Sequence, residues 1–331
     1  KLSQWLLLRD LTLDELLRHD GLRGAAGQPQ CWLCRVEDGS YRCTDCGHGC
    51  MLLCAGCIVS KHAELELHHV EKWNGHFFEK GSLCALGLRV QLGHDGSSCP
   101  CPARGPQNFL VFDLSGAHYV NIDYCECRSR QLDKRTQLLR KGWFPATIAR
   151  PKTVLTFDCL DTFHELTLQG KSNLYDFYHT ILRKTDSANL SKSIYRYPEF
   201  HRVFRLWRNL MSLKRAGRGQ DPTGVDGTSE GALTVECPAC PHPGRNLPMG
   251  WENAGALMFL YILYLAVEAN FKLKGKDRKL LDVELMPGMG VFVNETTYQD
   301  HIRSYVDQPE VCCIFIPFAF DTIDRWPFTA V

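Results

Sequence analysis

Apolar positions along this chain follow two periods, helical and strand-like, and one long apolar run follows neither. Leu6, Leu7, Leu13, Leu16 and Leu17 mark a short amphipathic stretch that ends at Asp20-Gly21, and a Gly/Ala/Gln/Pro linker continues through Pro29. That stretch is expected to dock weakly or to fray. Phe109-Leu-Val-Phe-Asp and His118-Tyr-Val-Asn-Ile-Asp-Tyr are β-rich runs separated by Leu-Ser-Gly-Ala, which predicts a β-hairpin. Further on, Phe157, Leu160, Phe163 and Leu166, then Leu174, Phe177, Tyr178, Ile181 and Leu182, recur at helical spacing. Gly170 lies between the two sets as a C-cap, so a helical hairpin is predicted, with a third helix starting after Pro198 and running to about Ala216. The longest apolar run, Ala256 to Val267, has 12 residues. A bilayer needs about 18 to 20, so the run is read as a buried strand.

Gly217 to Gly231 is rich in Gly, Asp, Thr and Ser and marks the clearest domain boundary. The expected division is an N-terminal helix and linker over 1–30, a Cys/His module over 31–80, a hairpin-then-helices domain over 81–216, a linker over 217–236 and a final domain over 237–331. With 331 residues and 44% hydrophobic content the chain can bury more than one core. A net charge of +1 excludes a globally basic nucleic-acid binder, so any such role has to come from local patches.

The cysteines change the picture most. There are 17, an odd number, and most fall in C-x-x-C or C-x-C pairs, which fits reduced thiols on metal better than a secreted disulfide framework. Cys31-x-x-Cys34, Cys43-x-x-Cys46 and Cys54-x-x-Cys57 follow one another at intervals of eight and seven residues, with His62 and then His68 or His69 behind them. A C-x-x-C turn lets two thiolates face one ion, and a closed structural zinc site takes four ligands in a tetrahedron. Two ions are therefore expected in a cross-braced, B-box or RING-like arrangement. The first and third pairs hold one, and the second pair holds the other with the histidines. His48 and Cys50 stand nearby as spare ligands, and His68 competes with His69 for the eighth place. A block of about 50 residues buries too little apolar surface to fold without its metal.

Cys99-x-Cys101 and Cys125-x-Cys127, flanked by His94 and His118, sit at either end of the predicted hairpin. They read either as a third zinc site or as small apolar core residues. Cys237-x-x-Cys240, with His242 close by, has no second pair near it. Arg202, Arg205, Arg208, Lys214, Arg215 and Arg218 alternate with apolar residues over the third helix, which could offer one face to phosphates or be a solvated surface. No paired carboxylates, phosphate loop or nucleophile elbow identifies a catalytic site.

Several phrases taken together resemble the Kyakuja-Dileera-Zisupton (KDZ) transposases and their cysteine-cluster domain, known mainly from fungal mobile elements. They are Glu71-Lys-Trp-Asn-Gly-His-Phe-Phe, Leu92-Gly-His-Asp, Tyr124-Cys-Glu-Cys, Gln137-Leu-Leu-Arg-Lys-Gly-Trp-Phe-Pro-Ala-Thr, Tyr175-Asp-Phe-Tyr and Cys237-Pro-Ala-Cys-Pro-His-Pro-Gly-Arg-Asn-Leu-Pro. The resemblance implies a zinc-chelating cluster ahead of a transposase domain with an RNase H-like fold, acting on DNA in the nucleus through carboxylates that hold two divalent metal ions, Mg²⁺ being expected only with a complete transposase core. It places Glu268, in Leu265-Ala-Val-Glu-Ala-Asn-Phe-Lys-Leu-Lys, where the family has its first catalytic Asp. The remaining acids do not appear before Val331.

The expectation is therefore a multi-domain α+β protein: a small cross-braced zinc module, a hairpin-plus-helices cysteine-cluster domain and the first strands of an RNase H-like domain. It binds zinc, and DNA or a protein partner, without catalysing transposition by itself; no membrane or small-molecule partner is expected. The rival expectation is a protein-interaction adaptor of the ubiquitin-ligase type, since cross-braced fingers often carry no chemistry.

Overall fold

The computed structural model describes residues 2–304 except 26, 28–29, 48–50, 95, 129–131, 189, 191–193 and 265–282. They divide into two units, Lys1–Trp207 and Arg208–Val331.

The first unit opens on α1 (Leu2–Asp20), a helix that buries none of its residues. Its leucines point to water, Leu7 at 85% exposure. Its C-terminal end is tied down: Arg42 donates to the carbonyls of His19 (3.3 Å) and Gly21 (3.0 Å) while its Nε pairs with Glu71 at 2.7 Å.

Behind it, β1 (Tyr41–Cys43), β2 (Val70–Trp73) and β3 (Phe78–Lys80) form an antiparallel sheet in that order, with α2 (Ala55–Lys61) beside it. The turn from β2 to β3 is made by Asn74, whose Oδ1 accepts the N–H groups of His76 and Phe77, and by Gly75 at φ 102°. Its core is small and unusual: Cys31, Cys43 and Cys54 stand in it alongside Leu53, Ile58, Val70, Leu83 and Leu88.

A second sheet is built from β4 (Arg89–Gln91), β5 (Pro102–Arg104), β6 (Phe109–Asp113), β7 (Gly116–Cys125), β8 (Trp143–Pro145) and β9 (Thr153–Thr156), in the order β4-β7-β6-β9-β8 with β5 also on β7. The predicted hairpin is β6 and β7. Phe109, Leu110, Val111 and Phe112 are all buried, because β6 lies between β7 and β9 and is covered on both faces. The ten-residue β7 pairs with β6 at its start and with β4 and β5 at its end, so it carries Cys125 into the sheet margin. The short helix α3 (Lys134–Arg140) follows, N-capped by Asp133.

Then come α4 (Phe157–Gln169), capped by Thr156, α5 (Leu174–Thr185), capped by Asn173, and α6 (Tyr197–Arg215). These are the predicted helices, and their apolar faces meet in one aromatic layer. Phe163 stacks on Phe177 (4.7 Å) and meets Phe204 (4.4 Å), while Phe112 from the sheet meets Phe200 (5.5 Å). Gly170 is the C-cap but keeps φ −100°; the left-handed residue is Lys171, at φ 48°.

Among its described residues the second unit holds the C-terminal end of α6, turns, two 3₁₀ segments (Trp251–Asn253 and Gly255–Leu260) and α7 (Glu295–Arg303). This corrects the expected buried strand over 256–267. Its described part is 3₁₀ and turn, closed locally by Leu257 N–H to Ala254 O and Tyr261 N–H to Met258 O. Leu257, Phe259 and Leu260 are more than half exposed. Among its described residues this unit holds no strand, so the run finds no partner to pair with and closes its backbone bonds through turns. The first strands of an RNase H-like domain are not seen there. Glu268 lies outside the described residues, as do His48 and Cys50.

Candidate metal centres

Among the described residues, three groups of four Cys/His side chains bring their ligand atoms within 4.8 Å of one another. In the first, Cys31, Cys34, Cys54 and Cys57 meet because the chain crosses itself: Trp32 N–H donates to Leu52 O (2.9 Å), which lays the 31–34 turn beside the start of α2. Arg35 takes φ 55° in closing that turn. Cys54 is the N-cap of α2, and its sulfur accepts from the Cys57 N–H at 3.4 Å.

The second group is Cys43, Cys46, His62 and His68. Cys43 ends β1, and His62 is the C-cap of α2 and wholly buried. His62 Nδ1 lies 2.8 Å from the carbonyl of Ile58, which can only accept, so Nδ1 carries the proton and Nε2 turns its lone pair on the thiols, 3.3 Å from Cys46 Sγ. His68 Nδ1 stands 3.5 Å from Cys43 Sγ and 3.4 Å from Cys46 Sγ. The choice left open by the sequence is decided here: His68 joins the group, whereas His69 turns its Nδ1 to Asp45 at 2.9 Å. The pairing is the cross-brace, first pair with third, second pair with histidines.

The third group is His94, Cys99, Cys125 and Cys127. Cys99 and Cys127 sulfurs are 3.7 Å apart, and His94 Nε2 lies 3.2 Å from Cys125 Sγ and 3.4 Å from Cys127 Sγ. The C-x-C pairs, read from the sequence either as a third zinc site or as core residues, do come together, but not as a quartet of four cysteines. Cys101 is exposed and lies beside Cys127 without entering the group, and His94 takes its place. In extended backbone the two cysteines of a C-x-C lie on one face, as Cys125 and Cys127 do here, whereas Cys99 and Cys101 precede β5 and only Cys99 enters the group. His118, the other flanking histidine, is elsewhere, bonded to Ser115 Oγ at 2.9 Å.

The donor sets fit zinc. A tetrahedral ion with Zn–S of about 2.3 Å and Zn–N of about 2.0 Å sets S···S edges of about 3.8 Å and S···N edges of about 3.5 Å. Two S···S contacts, 3.7 and 3.9 Å, and the S···N contacts, 3.2 to 3.5 Å, lie near those edges, and all ligand atoms of a group stand within 4.8 Å of one another. The thiol acidities point the same way. In the first group burial raises Cys31, but backbone hydrogen bonds to Cys34, Cys54 and Leu33 outweigh it and bring it to about 6, while Cys57 is pushed up to about 12, first by its hydrogen bond to Cys54. Burial likewise pushes Cys43 up to about 12, and in the third group the bond to His94 brings Cys127 down to about 7. One thiolate in each thiol-rich group opposes the ionisation of its neighbours, and a bound dication removes that opposition.

The other candidates stay apart. Cys237 and Cys240 form a local turn, with Cys240 N–H on Cys237 O (3.2 Å) and His242 Nε2 on the same carbonyl (2.8 Å), and no further ligand completes a group among the described residues. Of the basic residues, Arg202 donates to Ala146 O at 2.9 Å. Arg218 is folded onto its own loop, bonded to Gly224 O and paired with Asp221 at 2.9 Å. Arg205, Arg208, Lys214 and Arg215 are exposed along α6.

One residue escaped sequence reasoning. Gln137, in α3, is buried and grips the backbone of Cys125 by both ends of its amide. Nothing in its spacing to a cysteine announces that role.

A chain with three such groups is a Cys/His-cluster protein whose clusters are compatible with zinc. Residues 83–189 match the family described as "CxC2 like cysteine cluster associated with KDZ transposases", which supports a KDZ transposase-related protein. The third group lies inside that match and the first two lie ahead of it. No curated protein matches the chain, and no solved structure does.

Proposed function

We propose that this chain is the zinc-scaffolded accessory region of a KDZ-type transposase, holding three structural zinc ions, binding DNA in the nucleus and not performing strand transfer by itself. The observation that carries the reading is the His94–Cys99–Cys125–Cys127 group set at the sheet margin inside the CxC2 match, with two cross-braced groups before it. A closed site with four protein ligands has no open position for a substrate, so these ions would hold structure and not supply chemistry. Arg208, Lys214 and Arg215 give α6 an exposed basic stretch suited to phosphate contacts. The inactivity rests on Glu268 standing where the family has Asp. No helix among the described residues is long and apolar enough to cross a membrane.

Elemental analysis of the purified chain tests the scaffold, with three zincs per chain expected. Duplex affinity measured against salt tests the DNA reading. Replacing Arg208, Lys214 and Arg215 by Ala is expected to lower the slope of log affinity against log salt by about 2 to 3. An unchanged slope, or no DNA affinity, favours a protein-binding module. That second reading draws on Trp32, Leu33 and Val36, which are 52%, 54% and 84% exposed on the loop of the first cluster.

A further inference from the structure

Two imidazoles outside the three clusters stand together in the first unit. His69, just before β2, and His118, in β7, have ring centroids 4.9 Å apart and planes tilted by 54°. Both line a cleft of about 490 Å³ between the small sheet and the β6–β7 hairpin, together with Lys80, Tyr119 and Lys184.

Each ring has one nitrogen fixed by a carboxylate behind it. His69 Nδ1 is 2.9 Å from Asp45 Oδ2, which also accepts the His69 backbone N–H at 2.6 Å. A carboxylate only accepts, so His69 Nδ1 carries the proton. His118 Nε2 is 2.9 Å from Ser115 Oγ, and that hydroxyl uses its one hydrogen on Asp113 Oδ2 at 2.6 Å. Ser115 therefore accepts from His118 Nε2–H. His69 Nε2 and His118 Nδ1 are left as lone pairs. A carboxylate, direct or relayed, behind an imidazole is the outer-shell arrangement that orients metal-binding histidines.

The distance also fits. Two imidazoles on one tetrahedral ion, at Zn–N of about 2.0 to 2.1 Å, stand about 5 Å apart centre to centre. The same molecule supplies a comparison: His62 and His68, the two imidazoles of the second cluster, are 5.5 Å apart and tilted by 69°.

We infer that His69 Nε2 and His118 Nδ1 form a fourth, open site for a borderline divalent ion such as Zn²⁺, its other positions filled by water or by a donor from a molecule in the cleft. Asp45 and Asp113 offset the charge of the ion. Lys80 and Lys184, the cations on the cleft wall, turn their ammonium groups to the carbonyls of Thr185 (2.5 Å) and Leu114 (2.7 Å). Among the described residues no third Cys, His, Asp or Glu completes this pair into a closed group, so its ion exchanges more readily than the cluster ions. Such an ion ties the zinc module to the hairpin that leads into the third cluster.

The test uses the full chain with its clusters zinc-loaded and counted by elemental analysis. Zinc is then titrated while the ring nitrogens of ¹⁵N-histidine-labelled protein are followed by NMR. One further equivalent is expected to bind, with His69 Nε2 and His118 Nδ1 shifting together while His62 and His68 stay unmoved. His118→Gln and His69→Gln are each expected to lose that equivalent and keep the cluster zincs. Unresponsive His69 and His118 nitrogens in the wild-type chain overturn the site whatever the variants do, and so does an extra equivalent that survives both substitutions. The count of cluster zincs before titration separately tests the three-zinc scaffold.

Discussion

Gln137 and Cys125 are joined as if they were partners across a β-ladder: Gln137 Oε1 accepts the Cys125 N–H at 2.8 Å, and Gln137 Nε2 donates to the Cys125 carbonyl at 2.9 Å. The amide also reaches Leu132 O at 2.9 Å, so α3 holds the end of β7 at a fixed height and with it the thiol of Cys125. Gly93 leaves the room this needs. At φ +86° it brings its Cα so close that an added Cβ would stand 2.7 Å from that of Cys125.

Gln137→Leu should therefore cost about 2 to 4 kcal/mol, since it leaves two buried backbone groups without partners. Zinc affinity of the third cluster should fall by about 10- to 100-fold, as for other outer-shell losses. Denaturant unfolding and competition against a chromophoric chelator read the two effects. Unchanged affinity at the third cluster would show that Gln137 serves only the fold.

Cys101 and Cys127 should part company. Cys127→Ser is expected to remove one zinc per chain, and Cys101→Ser to remove none, because only Cys127 belongs to the four-ligand group. Elemental analysis decides, and equal losses would restore the C-x-C quartet.

His68 and His69 offer the same contrast one residue apart. His68→Asn should empty the second cluster, whereas His69→Asn should leave its ion in place, since His69 Nδ1 is engaged by Asp45. Cobalt substitution checks this through the thiolate-to-metal absorption of the Cys₂His₂ site.

Chelation should unfold the small sheet before the large one. The core around β1 and β2 includes Cys31, Cys43 and Cys54, so stripping the metal sets several thiols against each other in the centre of a module with few other apolar residues. Amide exchange at Ile58 and Val70 should rise on adding a strong chelator while that at Val111 and Val154 stays slow. Retained protection at Ile58 and Val70 would sink the metal-dependent fold.

Asp113 gives a pH-dependent term. Burial raises its carboxyl, but hydrogen bonds from Ser115 and Thr156 outweigh that and hold it below the usual range. The folded state thus keeps the carboxylate ionised where the unfolded chain takes a proton. Its stabilisation is present above about pH 4 and is lost as pH falls through the lowered value. Asp113→Asn should cost about 1 to 3 kcal/mol at neutral pH, and the difference from wild type should shrink in acid. A difference that grows on acidification contradicts the assignment.

The sequence by itself determined the cross-brace. Three C-x-x-C pairs with histidines behind them make four ligand pairs for two tetrahedra, and their short intervals match an interleaved arrangement. It also determined the hairpin of β6 and β7 and the helices α4, α5 and α6, whose periods follow from burial of one face. Only the tertiary structure decided between His68 and His69, exchanged Cys101 for His94, and put Gln137 behind Cys125. Those choices depend on which way a side chain points once distant segments have packed, and spacing along a chain carries no record of that direction. The run at 256–264 failed as a strand for a related reason: a strand exists only when another lies beside it, and no strand lies in its unit among the described residues.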